Sequence, residues 1–128
     1  MFTLPEVILV ACGGAFGAIS RFAVGRLSEN FLTSLTFPLA TLFINILGCF
    51  LIGFVSELSL RGALSPHLRL LIVTGVLGGF TTFSAFGLET FALLRSGHLF
   101  MALTYVIASV IGGTLATYAG FLLLATRQ

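Results

Sequence analysis

Residues 75–86 read Gly-Val-Leu-Gly-Gly-Phe-Thr-Thr-Phe-Ser-Ala-Phe, in the middle of an apolar segment long enough to cross a bilayer. Paired glycines followed by paired threonines are poor material for the centre of a transmembrane helix, because glycine is costly in a helix interior and threonine is stiff at χ1. Backbone groups in lipid must be satisfied internally. A helix broken at that depth is tolerated only where protein or a water-filled cavity receives the freed groups. The run therefore predicts a break at the membrane midplane, and such breaks accompany ion or polar-solute sites. Phe83 and Phe86, about one helical turn apart, place two aromatic rings beside it.

Composition agrees with a membrane setting. The chain is 58% hydrophobic and 8% charged over 128 residues, which fits no soluble domain of this size. The start of the chain lacks a basic region and a small-residue cleavage site, so the first apolar segment is expected to be retained. Cys12 and Cys49 both fall inside apolar segments and are expected to be packed thiols rather than a disulfide. No Cys/His cluster has metal-ligand spacing, and His67 and His98 sit at segment ends away from any nucleophile–base pattern. A formal charge of +2 is too small and too dispersed to suggest nucleic acid as a partner, and none is expected.

Charges and turn residues divide the chain into four spans at about 4–27, 38–59, 69–94 and 99–126. Each is near or above the roughly 20 residues a transmembrane helix needs. The fold class expected is an all-α membrane protein, a single four-helix transmembrane domain over 1–128 with its third helix broken. Pro38 suits a first helical turn. Arg95-Ser96-Gly97-His98 is a tight link between the last two spans.

Small residues recur at helical spacing: Gly13, Gly17, Arg21 and Gly25 in the first span, Cys49 and Gly53 in the second, Ser109, Gly113 and Thr117 in the fourth. Such faces let helices approach closely in lipid. With no lysine present, arginines alone vote on orientation. Arg61, Arg69 and Arg127 fall on the side of the termini, and Arg21, Arg26 and Arg95 on the other. The balance leaves the positive-inside rule nothing to act on. Either other determinants orient the chain, or it inserts both ways, which would allow an antiparallel homodimer. Four helices are also thin for enclosing a pathway alone, which favours an oligomer.

Several polar residues lie within the spans. Thr41, Asn45 and Gly48 share one face of the second. A buried Asn amide either links helices or donates to an anion while accepting elsewhere. Arg21 either snorkels to the interface or supplies positive potential to a vestibule. Glu89 is either a salt-bridge or helix-end residue, or part of a solute path. Tyr105 and Ser109, one turn apart, form either a polar track or interhelical hydrogen bonds. Aromatic edges carry partial positive charge and faces partial negative charge, so Phe83 and Phe86 can serve either sign of ion according to how the rings turn.

These residues carry a resemblance. The run from Gly78 to Phe86, with Ser84 inside it and Glu89 after it, resembles the Gly-Gly-x-Thr-Thr-Phe-Ser-Thr-Phe-Ser-x-Glu signature of the Fluc (CrcB) family of fluoride channels. Thr41-Leu42-Phe43-Ile44-Asn45 resembles that family's Gly-Thr-Leu-x-x-Asn motif, and Gly17-Ala18-Ile19-Ser20-Arg21 its Gly-Ala-x-x-Arg motif. The likeness covers the whole chain, and the third-span motif is its most specific part. It implies a fluoride-selective channel in the inner (plasma) membrane of a bacterium, exporting fluoride passively, built as a dual-topology antiparallel homodimer with two pores. It further implies that Asn45, Phe83, Phe86, Thr41, Tyr105, Ser109, Ser84 and Glu89 serve the fluoride path, with Arg21 at its vestibule. A structural sodium ion at the dimer centre would be held by the main-chain carbonyls of Gly78 and Thr81.

The chain departs from the family pattern at four places. Ala85 stands for a threonine, Gly87 for a serine, Gly113 for a serine common on the fourth span, and Ala40 for the glycine before Thr41. The polar track is then shorter, or Thr114 or Thr117 substitutes in it. A competing reading is a proton-coupled small multidrug exporter, a class of similar size with four spans. That class needs a carboxylate within its first helix, whereas Glu6 stands at the start of that span and tryptophan is lacking. A pore-forming accessory protein without a solute site would leave the costly break unused. Enzymatic chemistry has no support in the pattern.

Overall fold

The structure is a computed structural model that describes residues 3–32 and 36–125. Arg127 and the expected end of the fourth span at Thr126 lie outside the described residues. Among the described residues every regular element is helical: α1 (Leu4–Leu32), α2 (Leu39–Leu60), α3 (Pro66–Arg69), a π-helical stretch (Leu70–Leu77), α4 (Gly78–Phe80), α5 (Phe83–Arg95) and α6 (Leu99–Ala125). Among the described residues, four stretches are long and apolar enough to cross a membrane: Leu4–Ser28, Leu39–Leu60, Pro66–Arg95 and Leu99–Ala125.

Local chemistry sets the helix ends. Glu6 in the first turn of α1 accepts from both the backbone N–H and the hydroxyl of Thr3, each at 2.9 Å, one half of a capping box. At the end of α2, Gly62 takes φ +70°, and Ala63 N–H and Gly62 N–H close on the carbonyls of Leu58 and Ser59. The end of α5 repeats the motif, with Gly97 at φ +81° and His98 N–H donating to Leu93 O at 2.9 Å. Only a residue without a Cβ enters this left-handed turn cheaply, so both links between antiparallel helices are kept tight by a glycine.

The helices pack as two close pairs. In the first, α1 lies on the third span. A Cβ built on Gly13 would meet Leu71 O at 2.6 Å, and one on Gly17 would overlap Val76 O. In the second, α2 lies on α6, where a Cβ on Gly53 would overlap Thr117 O and one on Gly120 would overlap Phe50 O. Backbone meets backbone at both contacts, which is how helices gain packing energy where lipid removes the hydrophobic drive. The small face expected on α1 extends only through Gly17, since the Cβ position of Gly25 has nothing within 4 Å. The two cysteines are free. Cys49 packs under Gly113, while Cys12 faces outward, so the expectation of a packed thiol holds for only one of them.

The π-helical stretch has a packing cause. Gly13 and Gly17, four residues apart on α1, meet the carbonyls of Leu71 and Val76, five residues apart on the third span. An i→i+5 turn absorbs the additional residue. The third span starts earlier than expected, at Pro66, with Ser65 Oγ accepting from Leu68 N–H at 3.2 Å as the cap.

Candidate functional site: the broken span and its polar cavity

Two extended residues interrupt the third span: Thr81 at φ −82°, ψ 158° and Thr82 at φ −152°, ψ 115°. Asn45 on α2 receives them. Its Oδ1 accepts from Thr82 N–H at 2.9 Å and its Nδ2 donates to Thr82 O at 3.1 Å. One side-chain amide thus does for Thr82 what a neighbouring strand would do. Gly48, one turn on, leaves room for the Thr81 methyl, which a Cβ at that position would overlap. The Thr41–Asn45–Gly48 face therefore points at the third span.

The break redistributes backbone donors. In an uninterrupted helix Thr82 N–H would close on Gly78 O, and Ala85 N–H on Thr81 O. Here Thr82 N–H goes to Asn45 Oδ1, and Ala85 N–H goes to Thr82 Oγ1 at 3.2 Å, the N-cap of α5. The carbonyls of Gly78 and Thr81 are thereby released from their regular partners, and Gly78 is exposed on the surface of the chain. Freed main-chain carbonyls are donors suited to a small hard cation.

A polar ladder continues toward the end of α5. Glu89 accepts from Thr41 Oγ1 through Oε1 and from the Tyr105 hydroxyl through Oε2, each at 2.7 Å. Tyr105 is fully buried, with Phe37 edge-on to it (centroids 5.5 Å apart) and Phe86 tilted against it (5.1 Å). Glu89 thus joins α2 and α6 through two hydroxyls, rather than pairing with Arg21.

Between these elements lies a cavity of about 360 Å³, lined among others by Asn45, Gly78, Thr81, Phe83, Phe86 and Ser109. The rings of Phe83 and Phe86 stand 5.5 Å apart at 43°, Phe86 half-buried and Phe83 84% exposed. Ser109 Oγ exposes less than 1 Å² and has no hydrogen-bond partner among the described residues.

The structure gathers Asn45, Ser109, Phe83, Phe86, Gly78 and Thr81 around the cavity at the break, and Thr41, Glu89 and Tyr105 into a separate hydrogen-bonded cluster toward the end of α5. Ser84 is exposed beside them, its hydroxyl 3.2 Å from Thr82 Oγ1. Arg21 is not brought into this group and makes no hydrogen bond or ion pair among the described residues. The hydroxyls of Thr114 and Thr117 bond back to Val110 O at 2.8 Å and Gly113 O at 3.0 Å on their own helix. Gly87 faces open space, and a Cβ at Gly113 would meet Cys49 Sγ at 3.2 Å.

The residue that sequence reasoning missed is Thr82, which is both Asn45's partner and the cap of α5. A second omission is Arg61. Its Nε sits 2.9 Å from Glu57 Oε1, and its guanidinium also donates to Leu124 O, tying the ends of α2 and α6.

Comparison with known proteins follows the same residues. Residues 8–121 match the family model described as CrcB-like protein, Camphor Resistance (CrcB). The "Fluoride-specific ion channel FluC" of Prosthecochloris aestuarii is 49% identical over 118 residues, 91% of each chain. The protein of the same name from Methylobacillus flagellatus is 45% identical over 117 residues, again 91% of each chain. That of Thermus thermophilus is 47% identical over 118 residues, 92% of this chain and 94% of its own. A match to the family model across the four spans, with relatives of such identity over nearly their full lengths, places the chain in the CrcB family.

Proposed function

We propose that the chain is a fluoride-selective channel of the bacterial inner membrane that lets fluoride leave the cell passively. The observation that carries this reading is the cavity at the broken third span, which offers an ion weak neutral groups: a serine hydroxyl with no partner among the described residues, phenyl rings and the Asn45 amide. The names of the relatives point the same way. Hydrogen fluoride enters from acidic surroundings and dissociates inside, trapping the anion. A selective pore lets the membrane potential drive it out.

The physical problem is desolvation. Fluoride is small and strongly hydrated, so several convergent donors must replace its water, yet binding must stay weak enough for release. Asn45 has one Nδ2 proton left after its bond to Thr82, and Ser109 has its hydroxyl. Phe83 and Phe86 would present ring edges, and Thr41, Ser84, Glu89 and Tyr105 would border the path. Arg21 would raise the local concentration of anions at the mouth.

The chain would work as an antiparallel homodimer with two pores. The three-against-three arginine balance supports insertion in both orientations, and the exposure of Phe83 supports a partner copy covering it. Sodium at the dimer centre would be held by the released carbonyls of Gly78 and Thr81, joined by the same oxygens of the second copy. The ion would supply positive charge where two helix ends meet; fixing the break itself falls to Asn45. The multidrug-exporter alternative finds no support at Glu6, which is spent on the Thr3 cap at the very start of α1.

Growth tests the reading. A bacterium stripped of its fluoride exporters should regain growth in acidic fluoride medium when it makes this chain and stay arrested when it makes Asn45→Asp. Equal arrest with both would contradict it.

A further inference from the structure

We infer that the groove beside the start of the third span holds one phospholipid with a phosphoethanolamine headgroup, its phosphate on Arg69, its ammonium on Glu6 and an ester oxygen on Thr74. The site faces the membrane and does not depend on which ion the channel conducts.

Two cavities flank one ridge. The first, of about 650 Å³, is lined by Glu6, Val10 and Ala11 of α1 and by Leu70 and Thr74 of the third span. The second, of about 250 Å³, is lined by Arg69 and Val73 and by the same Leu70 and Thr74. Leu70 and Thr74 thus form a wall with a space on either side, a shape that suits a ligand with two hydrocarbon chains. A carboxylate borders one space and a guanidinium the other.

Both charged groups have capacity left. Glu6 receives both Thr3 donors on Oε2, which leaves Oε1 free. Arg69 is exposed and has no hydrogen-bond or ion-pair partner among the described residues, Glu6 included. His67 lies near enough to Glu6 to attract it, but no hydrogen bond joins them among the described residues. Thr74 adds a hydroxyl. Thr90, Thr104, Thr114 and Thr117 each bond back to the carbonyl four residues earlier. Exposed Thr74, inside the π-helical stretch where i→i+5 winding displaces that carbonyl, does not.

Depth fits the three roles. The third span has 30 residues, more than the roughly 20 that the hydrocarbon core needs, so its first turn stands among headgroups. At 1.5 Å per residue, Arg69 lies about 4.5 Å and Thr74 about 12 Å inside its start, the order of phosphate and then ester along a lipid. Guanidinium pairs with phosphate through parallel hydrogen bonds. The primary ammonium of phosphoethanolamine donates to a carboxylate. Phosphocholine has no N–H to donate, and phosphoglycerol brings net negative charge to Glu6. An acid and a base that do not reach each other therefore select the zwitterion with a primary amine.

Native mass spectrometry of the full chain tests this, in micelles holding equal phosphatidylethanolamine, phosphatidylcholine and phosphatidylglycerol of one acyl composition. Headgroup mass tells the bound lipids apart. We expect wild type to carry phosphatidylethanolamine about three- to fivefold over either of the others, the strength of an exposed ion pair. Glu6→Gln keeps an acceptor for the Thr3 cap and should equalise the ethanolamine and choline lipids. Arg69→Gln should lower all three adducts, while Arg95→Gln, at the far end of the third span, should keep the wild-type preference. Equal ethanolamine and choline adducts on wild type would overturn the inference, as would a preference that survives Glu6→Gln or adducts undiminished by Arg69→Gln. Wild type that runs as a dimer without lipid, and as a monomer with Glu6→Gln, would assign the groove to a second copy and also overturn it. If Arg69→Gln aggregates, Thr74→Val, which removes the hydroxyl and keeps the shape, is read for the same loss.

Discussion

Asn45 faces Thr82 as one strand faces another, accepting from its N–H at 2.9 Å and donating to its carbonyl at 3.1 Å across 37 residues of sequence. The pairing is what makes a broken helix tolerable at membrane depth, because it satisfies both main-chain groups of the most extended residue in the break. It also sets the phase of α5, and with it the positions of Phe83, Phe86 and Glu89.

Asn45→Ala leaves both Thr82 groups without a partner. At about 1 kcal/mol for each hydrogen bond, the loss is about 2 kcal/mol. Asn45→Asp retains an acceptor for Thr82 N–H but has no donor for Thr82 O, and it adds negative charge beside the cavity. Chemical denaturation in detergent should therefore rank wild type above Asp and both above or equal to Ala, while flux should be lower in Asp than in Ala. Wild-type flux in Asp would take Asn45 out of the path.

Glu89 couples two helices, so its two partners should not act independently. Tyr105→Phe keeps the ring packed on Phe37 and Phe86 and removes one donor; Thr41→Val removes the other. Each should cost roughly 1–3 kcal/mol, the penalty of leaving a carboxyl oxygen without its donor. In a double-mutant cycle the pair should deviate from additivity by about 0.5 kcal/mol or more. Strict additivity would show that Glu89 does not link them.

The glycines divide sharply by position. Gly53→Ala and Gly120→Ala place a methyl into the opposing backbone and should separate α2 from α6, with a loss of folded protein on size-exclusion chromatography. Gly25→Ala meets open space and should stabilise by about 0.5–1 kcal/mol through helix propensity. Equal effects at Gly53 and Gly25 would contradict the packing described.

Removing the guanidinium of Arg61 strands Glu57, which is 7% exposed. The Arg61 side chain is itself 30% exposed, so deleting it costs about 1–3 kcal/mol, the penalty of a buried acceptor left without its donor; Arg61→Ala should unfold before wild type, with Glu57→Gln on the same background recovering part of the loss. No recovery would mean that Arg61 stabilises through its contact with Leu124 O alone.

If sodium bridges two copies through Gly78 and Thr81, exchange of all sodium for a bulky organic cation should lower the dimer fraction on dilution and slow flux. Unchanged dimer and flux would leave those carbonyls without a cation.

Much of this is legible in the sequence alone. Gly78-Gly79 and Thr81-Thr82 mark the break because their intrinsic costs are local, and the Thr41–Asn45–Gly48 face follows from helical period alone. What Asn45 would bond was not legible, since Thr82 lies 37 residues away and either threonine of the pair could have faced it. The π-helical stretch was hidden because Leu70–Leu77 is an apolar run that would read the same in either helix. Its form comes from how Gly13 and Gly17 dock, a tertiary effect. Arg61 counted in sequence only as a charge near the membrane surface, and its clamp depends on the ends of α2 and α6 meeting.

The measurement that bears most directly on the account is anion efflux from liposomes loaded with equal potassium fluoride and potassium chloride, started by a potassium ionophore and followed with electrodes for both anions. The account predicts rapid loss of fluoride with chloride retained. Chloride leaving as fast as fluoride, or neither leaving, would contradict it.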